Sequence, residues 1–363
     1  MSGACWPPAE IPSIRPHVTG DQNELKGIIP MEPLRIGILG AARITELALV
    51  KPAAVTGTRL VAVAARDRSR AEAFADTHGV ERVLDSYDEV IADPEVEAVY
   101  NPLSNSLHAT WNVAALEAGK HVLTEKPSAG NAAEAAFVEK VVAARDLVFF
   151  EGFHYYYHPL VGRLYDILRS GEIGTLQRVE SIMDMPAPPS TDPRWSLQLA
   201  GGALMDLGCY SLHSHRMLAS FGGGEPRVLS ATGAERPGHP GVDEWLTAHL
   251  QFPNGVTGTA GCNMASDHHQ MSHTLIGSAG EAVITDFVNP HHDDRLVVTT
   301  ADESRTEHLG NRSSYTYQLE AFTRAVRTGA ATRTDAAGAV ATMQLIDECY
   351  RHAGFAPRPG QYE

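Results

Sequence analysis

From residue 34 onward, short apolar runs alternate with stretches whose apolar residues recur at helical spacing. Leu34–Leu39 is apolar apart from Arg35, the mark of a strand covered on both faces. A helix is expected after it, then strand Leu60–Ala65 and helix Ser69–Thr77. Ser86 and Glu89 form a capping box for a short helix Ser86–Ala92. Strand Ala98–Asn101, helix Leu107–Ala118 stopped at Gly119, strand His121–Thr124, helix Ala132–Ala144 and strand Leu147–Glu151 continue the rhythm. Strand–helix alternation with short connections predicts a doubly wound parallel sheet. After residue 155 the pattern changes. A helix Leu160–Ser170 follows His158-Pro159, and longer strands come next: Gln177–Asp184, Arg227–Gly233, Glu244–Phe252, Val256–Asn263, His273–Ile276, Ala282–Thr285 and Arg295–Thr299. Pro253-Asn254-Gly255 reads as a hairpin turn between two of them. Strands without intervening helices predict an antiparallel sheet. Helices Tyr317–Arg327 and Ala336–His352 close the chain. The fold class is α/β: a parallel doubly wound sheet followed by an α+β domain with a large, open, mostly antiparallel sheet.

One helical run breaks the apolar rule. Gly201-Gly202 allows a tight turn into a helix running from Leu204 to Leu218. Residues three and four apart share a helix face, so Asp206, Tyr210 and His213 form one stripe, with Met217 a turn further on. A carboxylate, a phenol and an imidazole on a packed face need partners. They either cap and cross-link the helix or carry chemistry.

The first strand leads into Gly40-Ala41-Ala42-Arg43-Ile44-Thr45. A glycine turn there lets backbone N–H groups approach a pyrophosphate at the helix N-terminus. The usual glycines at the second and third positions are Ala42 and Thr45, so a nucleotide-free fold stays open. The second strand ends Ala64-Ala65-Arg66-Asp67. Arg66 offers a forked partner for a 2′-phosphate and points to NADP; Asp67 taking the ribose hydroxyls is the alternative and would mean NAD. Lys126 follows the strand His121–Thr124, at the end of the sheet where ligands gather, unless it is an exposed turn lysine.

The chain has 363 residues, enough for two domains, with Lys+Arg 29 against Asp+Glu 44 and a net charge of −15. That balance argues against nucleic acid or an anionic membrane as partner. No apolar run approaches the ~20 residues needed to span a bilayer. Cys5, Cys209, Cys262 and Cys349 have no paired spacing, which fits a reduced, cytoplasmic protein without a cysteine zinc site. Histidines at 268, 269, 273, 291 and 292 read as polar loop residues and strand neighbours, and no metal is expected. Residues 1–33 read as a tail, and Met31 as a second start that makes residues 1–30 dispensable.

Several of these segments together resemble the glucose–fructose oxidoreductase/inositol dehydrogenase (Gfo/Idh/MocA) family. They are the Gly37-Ile38-Leu39-Gly40 start, Asn101-Pro102 with Asn105 and His108, Glu125-Lys126-Pro127, Glu151-Gly152-Phe153 with His158-Pro159, and Gly202 through Tyr210. Asn254-Gly255-Val256-Thr257-Gly258 and Tyr317 through Phe322 also match. The dihydrodiol dehydrogenase and NADP-dependent xylose dehydrogenase-like branch is the nearest, because Tyr210 stands where the inositol dehydrogenases have His.

The resemblance implies a Rossmann domain at residues 34–153 and a substrate and oligomerisation domain at 154–335. Residues 336–363 would then form a C-terminal helix packing back on the Rossmann domain. It implies a dinucleotide held by Gly40, Ala41, Ala42, Arg43, Ile44, Arg66, Asn101, Pro102, Leu103, Asn105, His108, Glu125 and Lys126, with Lys126-Pro127 often cis. It also implies hydride transfer at an alcohol carbon of a sugar, cyclic polyol or trans-diol, by Lys126, Asp206 and Tyr210. The subunits are expected to pair as a homodimer or homotetramer through the open sheet face. A sugar–sugar oxidoreductase with retained NADP and a silent nucleotide-binding regulator are the alternatives.

Tyr210 is expected to carry the proton. Its phenol, ordinarily near ~10, would be drawn toward working pH by Lys126. Asp206 would bond a substrate hydroxyl or orient Lys126. The rival assignment makes Lys126 the proton carrier. His154 and Tyr156 stand where relatives read Met and Arg, and are expected to touch substrate. Arg194 and Trp195 suit a sugar wall or a loop anchor, and His213 a substrate contact or a structural role.

Overall fold

The computed structural model describes residues 32–362; the expected tail, save its last two residues, and the Met31 start lie outside them. The chain opens with β1 (Arg35–Leu39), a π-helical turn (Glu46–Val50), α1 (Lys51–Thr56), β2 (Arg59–Ala64), α2 (Arg68–His78) and α3 (Tyr87–Ala92). Then come β3 (Ala98–Asn101), α4 (Asn105–Glu117), β4 (His121–Thr124), α5 (Ala132–Ala143) and β5 (Phe149–Glu151). These strands pair in the order β2-β1-β3-β4-β5, every pair parallel. β1, β3 and β4 are almost wholly buried, as the unbroken apolar runs led us to expect. Ser86 caps α3 by accepting from Glu89 N, but the carboxylate of Glu89 turns to Asp85 N instead of closing the box on Ser86.

A short 3-10 turn (His154–Tyr157) and α6 (Pro159–Ser170) lead into β6 (Leu176–Asp184). A second π-helical turn (Leu204–Gly208) runs into α7 (Cys209–Arg216) and α8 (Ala219–Gly222). The strands β7 (Arg227–Glu235), β8 (Asp243–Gln251), β9 (Thr257–Asn263), β10 (Gln270–Gly277), β11 (Gly280–Ile284), β12 (Arg295–Thr300) and β13 (Ser304–His308) follow, and α9 (Ser314–Thr328) and α10 (Ala336–His352) close the fold. The second sheet has the order β13-β12-β11-β10-β6-β9-β8-β7 and is antiparallel except where β6 meets β9. β13 was not foreseen. Its Ser-Arg-Thr-Glu-His run has no apolar residue to signal a strand; it is a charged edge strand, tied by Glu307 to Arg163 of α6. Along β8, Leu246, Ala248 and Leu250 are buried and the residues between them are not, so one face is covered and the other open. No described helix is long and apolar enough to cross a membrane.

α10 packs on α5 beside the parallel sheet, and on α7 and β7. Behind the Gly201-Gly202 turn lies a fully buried ion pair, Arg358 with Asp243. Asp243 also accepts from Leu204 N at 2.7 Å and from Tyr350 Oη at 3.0 Å, while Arg358 Nε donates to Gly201 O at 2.7 Å. Gly202 has φ 133°, and a side chain there would run into the Asp243 carboxylate. The pair therefore pins the start of the helix that carries Asp206 and Tyr210. Removing one member of a buried pair leaves an uncompensated charge. Arg358→Met is expected to cost about 3–5 kcal/mol of unfolding free energy, read from urea denaturation. A loss below about 1 kcal/mol would show that the pair does not hold this turn.

Candidate active site

The carboxyl ends of β1, β3 and β4 open onto a cleft lined on one side by Arg43, Ile44 and Leu103 and on the other by Arg194, Asp206 and Tyr210. Pro102, Asn105, His108, Glu125, Lys126 and Tyr315 complete it. Ligands collect at this end of a parallel sheet because the loops there leave a crevice beside helix N-termini.

On the parallel-sheet side, Gly40 makes the turn with φ 93°, its N–H donating to Ala64 O at 2.7 Å. Ala41 and Ala42 are part-exposed, while Thr45 is fully buried. The third fingerprint position serves close helix–strand packing, so a buried threonine there costs the cradle nothing on its open side. Arg66 is exposed at the tip of β2, whereas Asp67 is engaged as the N-cap of α2, accepting from Ser69 N and Ser69 Oγ. Arg70 Nη2 donates to Ala41 O at 3.0 Å, bringing a second guanidinium to the same corner. These donors fit an anionic dinucleotide.

Asn101 has its side chain turned into the loop. It is buried, donates to His108 O and Asn112 Oδ1, and accepts from Leu103 N, so it shapes the loop beside the cleft. His108 is wedged between Pro127 O at 2.7 Å and Leu103 O at 2.8 Å, and burial brings its pKa down to about 4.

Lys126, whose peptide bond to Pro127 is cis, reaches across to the other side of the cleft. Its Nζ donates to the backbone carbonyl of Asp206 at 2.8 Å and lies 3.9 Å from Asp206 Oδ1. It stands over the ring of Tyr210, 4.8 Å from the centroid. Asp206 sits in the π-helical turn, whose bonds run from i+5, with Cys209 N returning to Leu204 O. Such turns disturb the backbone ladder and are frequent at functional sites. Asp206 Oδ2 accepts from Arg194 Nη1 at 3.4 Å, and Arg194 is itself braced by Asp192. The carboxylate therefore stands between two cations.

Burial works against the Lys126 ammonium, but nearby Cys209, Asp206 and Glu125 outweigh it, and the pKa is raised. The Tyr210 phenol moves up as well, well above its ordinary range, first through burial and then through Tyr315 and Glu125. This corrects the expected effect of Lys126: the ammonium meets the ring face rather than the oxygen, and burial dominates. Tyr210 is a neutral O–H donor.

Four expected substrate contacts fall outside the cleft. His154 is fully buried behind Tyr210, with Nε2 3.3 Å from Tyr210 Oη. Tyr156 lies in a separate small cavity with Tyr165 and Met217. The indole of Trp195 is buried, its N–H on Pro188 O and its face under the Arg236 guanidinium, which makes it a loop anchor. His213 stacks on Phe153 at 3.9 Å and bonds Tyr155 Oη at 2.7 Å, in keeping with a structural role. Tyr315 was missed. It lines the cleft from the first turn of α9, which starts three residues earlier than the apolar spacing indicated. The Ser313-Ser314 pair preceding it was the available signal for a helix start.

Residues 34–153 match the oxidoreductase family with an NAD-binding Rossmann fold, and residues 161–283 match the GFO/IDH/MocA C-terminal domain. The chain belongs to this family of oxidoreductases. It is 33% identical to D-xylose 1-dehydrogenase (NADP(+)) 2 of Haloferax volcanii over 88% of this chain and 97% of that protein. It is 35% identical to trans-1,2-dihydrobenzene-1,2-diol dehydrogenase of Bos taurus over 70% of this chain and 74% of that one. Among solved structures, a 3-ketoreductase from Actinomadura kijaniata in complex with NADP and TDP-benzene superposes with a TM-score of 0.81 at 26% identity, covering 88% of this chain and 98% of the ketoreductase.

Lys126 supplies positive charge inside the cleft with a side chain that is only 13% exposed. Preorganised charge of this kind is worth roughly 10²–10³-fold in turnover. Lys126→Met is expected to lose that much kcat with a melting temperature close to that of the parent. Turnover within a few-fold of the parent would remove Lys126 from the chemistry.

Proposed function

We propose that this oxidoreductase is an NADP-dependent dehydrogenase of a sugar, cyclic polyol or trans-diol, with Tyr210 as the group that exchanges a proton with the substrate oxygen. The observation that carries the reading is the meeting of Lys126 and Tyr210, 4.8 Å from ammonium to ring, in the cleft that the Gly40 loop also lines. The relatives' names support the substrate class. When bound, the nicotinamide supplies or accepts the hydride.

The chain's own residues do the rest. Gly40 to Ile44 would cradle the pyrophosphate, and Arg66 with Arg70 would meet a 2′-phosphate. Asp67, spent on capping α2, is a poor ribose ligand, which favours NADP over NAD. Tyr210 Oη offers its proton to a carbonyl oxygen, and Lys126 steadies negative charge developing nearby. Asp206 holds Lys126 and Arg194 in place and is free to accept from a substrate hydroxyl. We take residues 34–153 as the dinucleotide-holding part, 154–335 as the substrate and subunit-contact part, and 336–363 as the segment that packs back. A cytoplasmic homodimer or homotetramer joined through the open sheet face is consistent with the free, buried Cys209, Cys262 and Cys349 and with the half-open strand pattern.

Tyr210→Phe is expected to lower turnover by ~10²–10⁴-fold while leaving NADP affinity nearly unchanged; near-normal turnover would end its role as proton carrier. Arg66→Ala is expected to weaken NADP binding by ~10-fold or more and leave NAD binding unaltered, followed by quenching of protein fluorescence. Equal losses for both nucleotides would overturn the 2′-phosphate assignment. Because the phenol pKa is raised, carbonyl reduction should stay flat through neutral pH. Alcohol oxidation, which needs the phenolate as proton acceptor, should climb with pH through the alkaline range up to and beyond the ordinary phenol value of about 10. A plateau of oxidation below that value would contradict the raised phenol.

A further inference from the structure

His154 follows β5 at the start of the 3-10 turn and has 0% exposure. Its two ring nitrogens have one partner each. Nδ1 is 2.8 Å from Ser314 Oγ on α9, and Nε2 is 3.3 Å from Tyr210 Oη on α7. The ring stacks on Tyr315, 3.6 Å between centroids, which fixes its plane. It therefore reaches the phenol oxygen from the protein side while Tyr210 itself lines the cleft.

We propose that His154 is a positioning residue that donates its Nε2–H to Tyr210 Oη, aims the phenol proton into the cleft, and stabilises the phenolate left when that proton goes to the substrate oxygen. This rests on the reading of Tyr210 as proton carrier. An imidazole with two hydroxyl partners can take either tautomer. With Ser314 Oγ–H donating to Nδ1, the imidazole proton lies on Nε2 and must point at Tyr210 Oη. The phenol then keeps its own O–H for the substrate. In the opposite tautomer Nε2 would accept the phenol proton and turn it away from the cleft.

The proton step balances simply. In reduction the Tyr210 O–H bond breaks, its electron pair stays on Oη, and a new O–H bond forms on the substrate oxygen as the hydride reaches the adjacent carbon. The phenolate takes a proton back from water between turnovers. Burial keeps the His154 imidazole neutral, helped by the charge of Lys126 and by His291 and His158, so His154 acts as a donor and not as a proton store. Besides His154, the titratable groups facing Tyr210 from the surrounding elements are Tyr155, Tyr315, Glu125, Cys209, Asp206 and Lys126. Of these, Lys126 is the cation. It meets the ring face, which leaves the His154 N–H as the donor directed at the oxygen itself.

The test uses the full chain with NADP and its reduced form. His154→Met removes the donor and is expected to lower kcat by ~10–100-fold, with substrate KM and NADP affinity within about two-fold. Without the donor the phenolate is harder to form. The rise of alcohol oxidation with pH should therefore move to higher pH, by about 1 unit for each 10-fold loss. His154→Gln, which keeps an N–H near the same place, should recover most of both. Ser314→Ala frees the tautomer and should shift the profile in the same direction by a smaller amount; it decides the matter if the Met variant does not fold.

In a Tyr210→Phe background, His154→Met should add little. An unshifted profile in the Met and Ala variants, or an equal loss in the Phe background, overturns the proposal. If Tyr210→Phe is crippled while His154→Met is normal, His154 alone is misassigned. If Tyr210→Phe turns over normally, the proton-carrier reading has failed first.

Discussion

The hydrogen bond from Lys126 Nζ to the backbone carbonyl of Asp206 is the joint on which the site depends. It ties the turn after β4 to the helix that follows β6. Neither element is bent toward the other by its own sequence. The carbonyl belongs to a turn wound as a π helix, whose ladder closes at i+5. Its second lone pair is open to a donor from outside the helix. The same bond sets Lys126 over the Tyr210 ring and beside the Asp206 carboxylate, so that one contact arranges three groups.

Charge is handled differently on the buried side and on the cleft side of the first turn of this helix. At its start, the buried Asp243–Arg358 pair and the Tyr350 hydroxyl satisfy one another and the Leu204 N–H, so the polar groups are spent on shape. In the cleft, Asp206 stands between Lys126 and Arg194 while remaining 23% exposed, and its lone pairs are not exhausted. A rigid, satisfied base beneath a partly unsatisfied surface is what a binding site requires, since the first holds the geometry that the second uses.

Burial sets the direction in which most of the cleft's groups move. It lifts Tyr210, Tyr315 and Glu125 and depresses His154 and His108, while Lys126 and Arg194, paired with Asp206, place charge at its centre. A neutral phenol beside a fixed ammonium is a proton donor first. On the proposed reading, such a group places a proton on a carbonyl oxygen more readily than it takes one from an alcohol.

Much of this could be read without coordinates. β3, β4 and α10 fall where their apolar patterns indicate, and Lys126, Asp206, Tyr210 and Arg194 all line the cleft. Local rules suffice there, because strand and helix periods depend on near neighbours and a lysine at a strand end faces the crevice by topology. β13 escaped notice because an edge strand needs no apolar residue, and the start of α9 because its first turn is polar and aromatic. His154, Tyr156, Trp195 and His213 could not be sorted from sequence, since whether an aromatic group faces a ligand or a neighbour is settled by what packs on it. Composition and spacing determined the family of folds and singled out the glycine turn, the strand-end lysine and the helical aspartate and tyrosine as candidates. Only tertiary packing decided which polar atoms stay free, because that depends on partners far apart in the chain competing for the same hydrogen bonds.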